Sequence, residues 1–186
     1  MSRIVRTILA AVTASIVLAV PNSAPASATS SKATIVPSPE QFNNRVVYRH
    51  EVVIAADRTR IWQLLTDFPA YKDWNPFVIQ AEGKAIPGAT VNVKAVFHGL
   101  ALKFKQKVTT VAPEEEFCWE DAGWNSKFAS AHRCRTLIPM SDGTVLFTQE
   151  VVIDGGLIKV ADLFMGHPLR EGVEAETTAL KWHAEH

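Results

Sequence analysis

Alternating apolar and polar residues predict seven β-strands between residues 45 and 153. The clearest covers 102–111, where Lys103, Lys105 and Lys107 occupy every second position, which predicts a strand with one solvated face. The other six strands are predicted at 45–55, 77–85, 89–98, 117–121, 127–138 and 144–153. Short turns connect them, so we expect an antiparallel meander, and a single sheet of this length must curl.

Helical spacing replaces this alternation in two regions. An apolar helical face begins at Ile61, and Pro69 ends that helix before a second short one over 70–74. Residues 157–183 carry apolar side chains at helical spacing, with a kink expected near Gly166. Packing this long helix into the curled sheet gives an α+β domain with space between the two layers.

The first residues have the organisation of an export signal. Residues 1–28 begin with a short basic segment, continue with an apolar run over 7–20 and end in the small-residue motif Ala26-Ser27-Ala28. Residues 29–44 are rich in Ser, Thr, Pro and Asn and are predicted to be a flexible leader. We therefore expect a secreted or periplasmic protein whose folded domain covers 45–186, with no membrane span left after cleavage.

Composition and motifs exclude several kinds of function. The chain contains 19 Lys and Arg against 19 Asp and Glu, and this neutral balance argues against a nucleic-acid partner. The sequence lacks H-E-x-x-H and C-x-x-C motifs, a Gly-rich phosphate loop and a G-x-S-x-G elbow. We therefore expect neither a metal site nor a cofactor.

The two cysteines give conflicting signals. Two cysteines in an exported chain favour a disulfide. However, inward-facing Phe117 and Trp119 would turn Cys118 outward, whereas outward-facing arginines at 133 and 135 would turn Cys134 inward. Cysteines on opposite faces of a sheet cannot form a bridge. The strand pattern therefore favours two free thiols, and a disulfide is the alternative.

One acid/base pair is predicted on the sixth and seventh strands. A turn at 139–143 places His132 opposite Glu150, and both would point inward if Arg133 and Arg135 point to solvent. A buried His–Glu pair is a candidate for proton transfer. The alternative is a structural pair that closes one end of the sheet, and a register error would remove the pairing altogether.

The segment after the first strand resembles a known family. The matching residues are Ile61, Trp62, Leu65, Asp67, Tyr71 and the run Trp74-Asn75-Pro76-Phe77. In their order, followed by a long antiparallel run and a terminal helix, they resemble the START-like (SRPBCC) superfamily, in particular its polyketide cyclase/dehydrase-like branch. The likeness covers about 46–181, and it implies a helix-grip fold, in which the sheet surrounds the C-terminal helix.

Three functions are consistent with these patterns. The first is a binding protein for a lipid, polyketide or aromatic metabolite, held in an apolar cavity between sheet and helix. The resemblance implies a second, a cyclase or dehydratase that uses His132 and Glu150. The third is a partner-binding module in which exposed aromatics such as Trp124 form the contact surface. The predicted ligand-binding residues are Trp74, Asn75, Phe77, Phe97, Phe104, Trp119, Phe128 and Phe164.

Overall fold

A computed structural model describes residues 45–123 and 129–186 of the chain. The predicted export signal and leader lie outside these residues, as do Trp124 and Phe128. Among the described residues, no helix combines the length and the hydrophobicity needed to cross a bilayer.

The seven predicted strands are confirmed and form one unclosed antiparallel sheet. The strands are Arg45–Ile54 (β1), Val78–Glu82 (β2), Thr90–Phe97 (β3), Leu100–Ala112 (β4), Glu116–Ala122 (β5), Ser130–Pro139 (β6) and Val145–Asp154 (β7). Strand β1 pairs with β7, and every other pair of neighbouring strands is consecutive in the chain, so that β1 and β2 occupy the two edges.

The helices flank the sheet in the chain as the apolar spacing predicts. After β1 come α1 (Arg58–Thr66), a 3-10 turn (Phe68–Ala70) and α2 (Tyr71–Trp74). After β7 come α3 (Ile158–Ala161), a π-helical turn (Asp162–Gly166) and α4 (His167–Glu185). The predicted interruption of the helix at Gly166 is seen as the change from the π-helical turn to α4. Pro168 follows it in the first turn of α4, where its missing N–H costs no hydrogen bond.

The face of the sheet that contacts α4 carries the core, and we call it the inner face. Alternate strand residues such as Phe147 and Val151 of β7 are buried there together with Val173 and Leu180 of α4. Phe68, which follows α1, packs against the rings of Phe117 and Trp119 on β5, with centroid distances of 5.8 and 5.9 Å. The aromatic residues after β1 therefore join the helical segment to the inner face, as expected for core packing.

The two arginines of β6 lie on the inner face, although the sequence predicted them to point to solvent. Arg133 and Arg135 are 8% and 0% exposed. Arg133 Nη1 lies 3.1 Å from Oε2 of Glu176 on α4, and Arg135 Nη2 lies 2.8 Å from Oε1 of the same carboxylate. The prediction was wrong because this distant carboxylate compensates the buried charges, and strand alternation contains no information about it.

Glu176 attaches α4 to the sheet through this shared carboxylate. It is buried, and Gln149 Nε2 of β7 also donates a hydrogen bond to Oε2 at 3.5 Å. Burial alone would raise the pKa of Glu176, but the charges of Arg135 and Arg133 outweigh it and hold the pKa below the usual value. Glu176 is therefore ionised at neutral pH.

The prediction of two free thiols was also wrong, because Cys118 and Cys134 form a disulfide. They are directly opposed on β5 and β6, and their Cα atoms lie 4.2 Å apart. Once the neighbouring arginines face inward, Cys134 must face outward, on the same side as Cys118. The sequence correctly predicted which residues of each strand share a face, but for β6 it exchanged the inner and outer faces.

The predicted pairing of His132 with Glu150 was wrong as well. His132 is opposite Val152, and Glu150 is opposite Cys134. The hairpin turn lies one residue later than the predicted 139–143, and this moves the register by two residues. A shift of two leaves His132 and Glu150 on one face, but that face is the outer one.

Removing the disulfide should lower stability without changing the fold. The bridge closes a loop with a sequence separation of 16 residues, for which the loss of loop-closure entropy predicts a cost of about 3 kcal/mol. We expect Cys118→Ala combined with Cys134→Ala to show this loss in urea denaturation. Wild-type protein treated with a thiol reductant is the control and should lose a similar amount. An unchanged unfolding midpoint in both samples would contradict the prediction.

Replacing the shared carboxylate should be more damaging than replacing an exposed one on the same helix. Glu176→Gln leaves two buried guanidinium groups without a counter-charge, which should lower the free energy of unfolding by about 3–5 kcal/mol at neutral pH. The matched control is Glu174→Gln on the exposed side of α4, which should change stability by less than about 0.5 kcal/mol.

Wild type and Glu176→Gln should also differ in how their stability responds to acid. Because the folded-state pKa of Glu176 is lowered, its stabilisation is complete above the unfolded-state pKa of about 4.3 and is lost as the pH falls through the folded-state value. The stability difference between wild type and Glu176→Gln should therefore narrow below about pH 4. A difference that stays constant as the pH is lowered well below about 4 would exclude an ionised Glu176.

Candidate functional site

A largely apolar cavity of about 210 Å³ lies at the inner face of the sheet. Its apolar lining comes from the sheet side and from the segment that leads into α4. The residues that define these walls are Phe77, Phe97, Phe104 and Trp119, with Met165 and Leu169 on the helical side. Four of the eight predicted ligand-binding residues are therefore brought together around one space.

The aromatic wall is built from edge-to-face ring contacts. The Phe77 and Phe97 ring centroids lie 5.3 Å apart, and those of Phe97 and Phe104 lie 5.7 Å apart. Such pairs are stabilising beyond the area that they bury. They also hold the rings in fixed orientations, so the cavity wall is formed before any ligand enters.

Asn75 positions this wall and does not line the cavity. Its Oδ1 accepts hydrogen bonds from the backbone N–H groups of Phe77, at 3.0 Å, and Val78, at 2.8 Å. This local turn ends α2 and directs Phe77 inward just before β2 begins. The predicted importance of Asn75 is thus explained by backbone geometry.

Gly172 allows α4 to approach the cavity wall closely. A Cβ atom built at this position would lie 2.2 Å from Cδ2 of Phe77, far inside van der Waals contact. Because Phe77 is itself buried among the core residues, its ring has little freedom to move away. The distance between α4 and this part of the sheet therefore depends on a residue without a side chain.

One end of the cavity is polar. Gln106 on β4, Asp121 on β5 and Arg133 on β6 all contribute to its lining. Asp121 accepts two hydrogen bonds: Oδ1 from Gln106 Nε2 at 2.6 Å and Oδ2 from the Ala131 backbone N–H at 3.0 Å. These three side chains belong to neighbouring strands, so the polar groups are concentrated in one place.

Burial changes the acidity of the charged groups at this end. Burial raises the pKa of Asp121, and the hydrogen bonds from Ala131 and Gln106 partly oppose the change. Burial lowers the pKa of Arg133 to about 10, against the opposing effect of Glu176, so the guanidinium still carries its charge at neutral pH. The Arg133 guanidinium also lies 5.1 Å from the centroid of the Phe77 ring, a cation–π contact.

Three of the other predicted site residues lie away from the cavity. Trp74 is buried against Tyr71, with ring centroids 5.1 Å apart, and is core. Phe164 is 64% exposed, and its carbonyl oxygen lies 3.1 Å from His98 Nε2. Asn75 has the positioning role given above. Phe128 lies outside the described residues, so its predicted role stays a prediction.

The predicted acid/base pair does not reach the cavity. On the outer face, His132 Nε2 lies 3.4 Å from Thr109 Oγ1, and Glu150 lies 4.0 Å from Arg49. These surroundings are those of a partly exposed sheet surface. The geometry on which a proton-transfer role for His132 and Glu150 depended is therefore absent.

Sequence reasoning missed the polar end because it assigned the arginines to solvent. A usable signal was present in the cysteines. A disulfide between Cys118 and Cys134 requires both to face outward, which in turn requires Arg133 to face inward beside Trp119. Met165 was missed for a different reason, since it lies in the π-helical turn, where ordinary helical spacing does not apply.

The described residues contain one group of potential metal ligands. The ligand atoms of Cys118, His132 and Cys134 all lie within 4.8 Å of one another on the outer face. Both sulfur atoms belong to the disulfide, and a disulfide sulfur does not act as a thiolate ligand. The expectation of no metal site stays a prediction.

Solved structures with the same architecture come from plants and bacteria. Ginseng major latex-like protein 151 from Panax ginseng is 13% identical, with 76% of this chain and 98% of that chain covered and a TM-score of 0.64. The Zhui aromatase/cyclase from Streptomyces is 13% identical over 76% of this chain and 94% of that one, with a TM-score of 0.65. A START superfamily protein from Mycobacterium smegmatis is 16% identical over 75% and 97%, with a TM-score of 0.59.

These identities support a shared fold and nothing more specific. No curated protein matches the chain at a significant level. A family model described as "Polyketide cyclase / dehydrase and lipid transport" matches residues 45–185, well over half of the chain. The chain is therefore a member of this polyketide cyclase/dehydrase and lipid transport family.

Proposed function

We propose that this protein binds a hydrophobic small molecule in the cavity at the inner face of the sheet. The observation that carries the proposal is the apolar space of about 210 Å³, with preformed aromatic walls and a few polar groups at one end. Small-molecule sites are typically built in this way. Transfer of apolar ligand surface from water into such a space is favourable, by about 25 cal/mol per Å² before ordering costs.

The comparisons support binding as the common element. The family description combines cyclase/dehydrase chemistry with lipid transport, and binding of an organic molecule is a step common to both. The similar structures include an aromatase/cyclase and a major latex-like protein. For this chain the outward position of His132 and Glu150 favours binding over a reaction that depends on that pair.

The cavity size restricts the guest. A volume of about 210 Å³ is below the roughly 300 Å³ at which sites for drug-sized ligands begin, so the ligand that fits this structure is small. One wall is formed by Met165 in the π-helical turn between α3 and α4. A larger guest would have to displace this irregular segment.

Filling the cavity should weaken binding. Ala95 lines the space, so Ala95→Leu should weaken uptake of a short probe such as octan-1-ol by about tenfold or more, as measured by isothermal titration calorimetry. Ala101→Leu, on the exposed outer side of β4, is the matched control and should bind like wild type. Native mass spectrometry of the wild-type protein would identify a co-purifying guest. Failure of wild type to take up any small apolar probe would overturn the proposal.

We also propose that the protein acts after export. The predicted signal at residues 1–28 supports this, and so does the disulfide between Cys118 and Cys134, because such bonds persist in oxidising compartments. Expression of the full chain should yield an exported product that begins at Thr29, which intact-mass measurement can check. Retention of residues 1–28 on protein found inside the cell would contradict export.

A further inference from the structure

The polar end of the cavity is too strongly charged for a purely apolar guest. Gln106, Asp121 and Arg133 form this end, whereas aromatic and aliphatic side chains form the rest. A hydrocarbon placed against the Arg133 guanidinium would remove water from a charge and return no hydrogen bond, which is costly. The cavity is therefore suited to a molecule with one polar end and an apolar body.

The charges around this end are unequally paired. Arg133 and Arg135 share the single carboxylate of Glu176, and its Oε2 also accepts a hydrogen bond from Gln149. Among the described residues, no partner is available for the buried Nε and Nη1 atoms of Arg135. Both guanidinium groups thus form their ion pairs with one carboxylate, which already accepts three hydrogen bonds.

Asp121 does not supply the missing partner. Its two carboxylate oxygens accept hydrogen bonds from Gln106 and from the backbone of Ala131, and within the described part of the chain it makes no ion pair with Arg133. It acts on Arg133 only through its more distant charge. A direct acceptor for the cavity side of Arg133 is therefore left to a ligand.

We propose that the cavity binds a small amphiphilic monocarboxylate, with the carboxylate held by Arg133 and the apolar body against Phe77, Phe97 and Phe104. The inference rests on the proposed binding function and specifies its ligand class. Within the described residues, Arg133 makes one hydrogen bond, from Nη1 to Glu176, so the rest of its planar fork is free to donate to a ligand. Carboxylates match this fork in geometry and charge.

The charge count favours a monoanion over a phosphate monoester. The carboxylate of Asp121 already lies near Arg133, so a group with nearly two negative charges would meet more repulsion there than a single carboxylate would. The apolar body can be aliphatic or aromatic, because both kinds of surface pack against phenylalanine rings. Octanoate is a monocarboxylate with an aliphatic body, and 3-phenylpropanoate is one with an aromatic body.

The test compares acids with an alcohol of the same length. Titrations of the full domain with octanoate, 3-phenylpropanoate and octan-1-ol at about pH 7.5, where free carboxylic acids are ionised, should show tighter binding of at least one acid than of the alcohol. Arg133→Gln should weaken binding of that acid by about tenfold and change octan-1-ol binding by less than about twofold.

Two further variants separate a direct contact from a general charge effect. Lys105→Gln removes one positive charge from the outer face of β4 and should leave binding of every probe unchanged. Asp121→Asn removes the negative charge near Arg133 without touching the guanidinium, and it should strengthen acid binding by about threefold while leaving the alcohol unaffected. Thermal melting checks that each variant is folded. If Arg133→Gln does not fold, the effect of Asp121→Asn on acid binding tests the carboxylate proposal instead.

Failure of the binding function and failure of the carboxylate proposal give different results. If wild type binds none of the probes, the proposed binding function itself fails. If octan-1-ol binds as tightly as both acids, or if Arg133→Gln weakens acid and alcohol equally, the carboxylate proposal is overturned and hydrophobic binding stands. Equal losses in Arg133→Gln and Lys105→Gln would also overturn it, because net charge and not contact would then govern affinity.

Discussion

The buried carboxylate of Glu176, shared by two arginines, is the interaction on which the arrangement of helix and sheet depends. The residue lies on α4, and its partners lie at alternate positions of β6, so one side chain fixes both the rotation and the height of the helix over the sheet. Apolar packing alone is tolerant of small sliding movements, because its contacts have little direction. Two short charge-assisted hydrogen bonds do not share this tolerance.

The same interaction explains why the inner face can contain both a core and a cavity. Arg135 does not line the cavity and stacks over the Trp119 ring at 4.5 Å, whereas Arg133 is one of the lining residues. The helix is thus attached on one side of the cavity, and the aromatic wall closes another. The Arg133 guanidinium is already held in place at the polar end, so less side-chain entropy is lost when a ligand binds.

The fold could be predicted because its determinants are local, whereas the site depends on contacts far apart in sequence. Strand alternation, prolines and turns place seven strands and a kinked terminal helix close to their observed positions. Alternation shows which residues share a face but not which face is buried. For β6 that choice depended on Glu176, more than forty residues away, and on the link between Cys118 and Cys134. The pairing register of β6 and β7 depended on which residue lies at the centre of the turn that joins them.

The close approach of Gly172 to Phe77 has a consequence for how this cavity could change in size. A larger residue at position 172 would push α4 away from the sheet or push the Phe77 ring into the cavity. This single position therefore links the distance between helix and sheet to the cavity volume. Trimming the ring at 77 would add room without disturbing that spacing. Relatives that accommodate bulkier molecules could therefore retain this helix geometry and differ chiefly in the side chain that faces it.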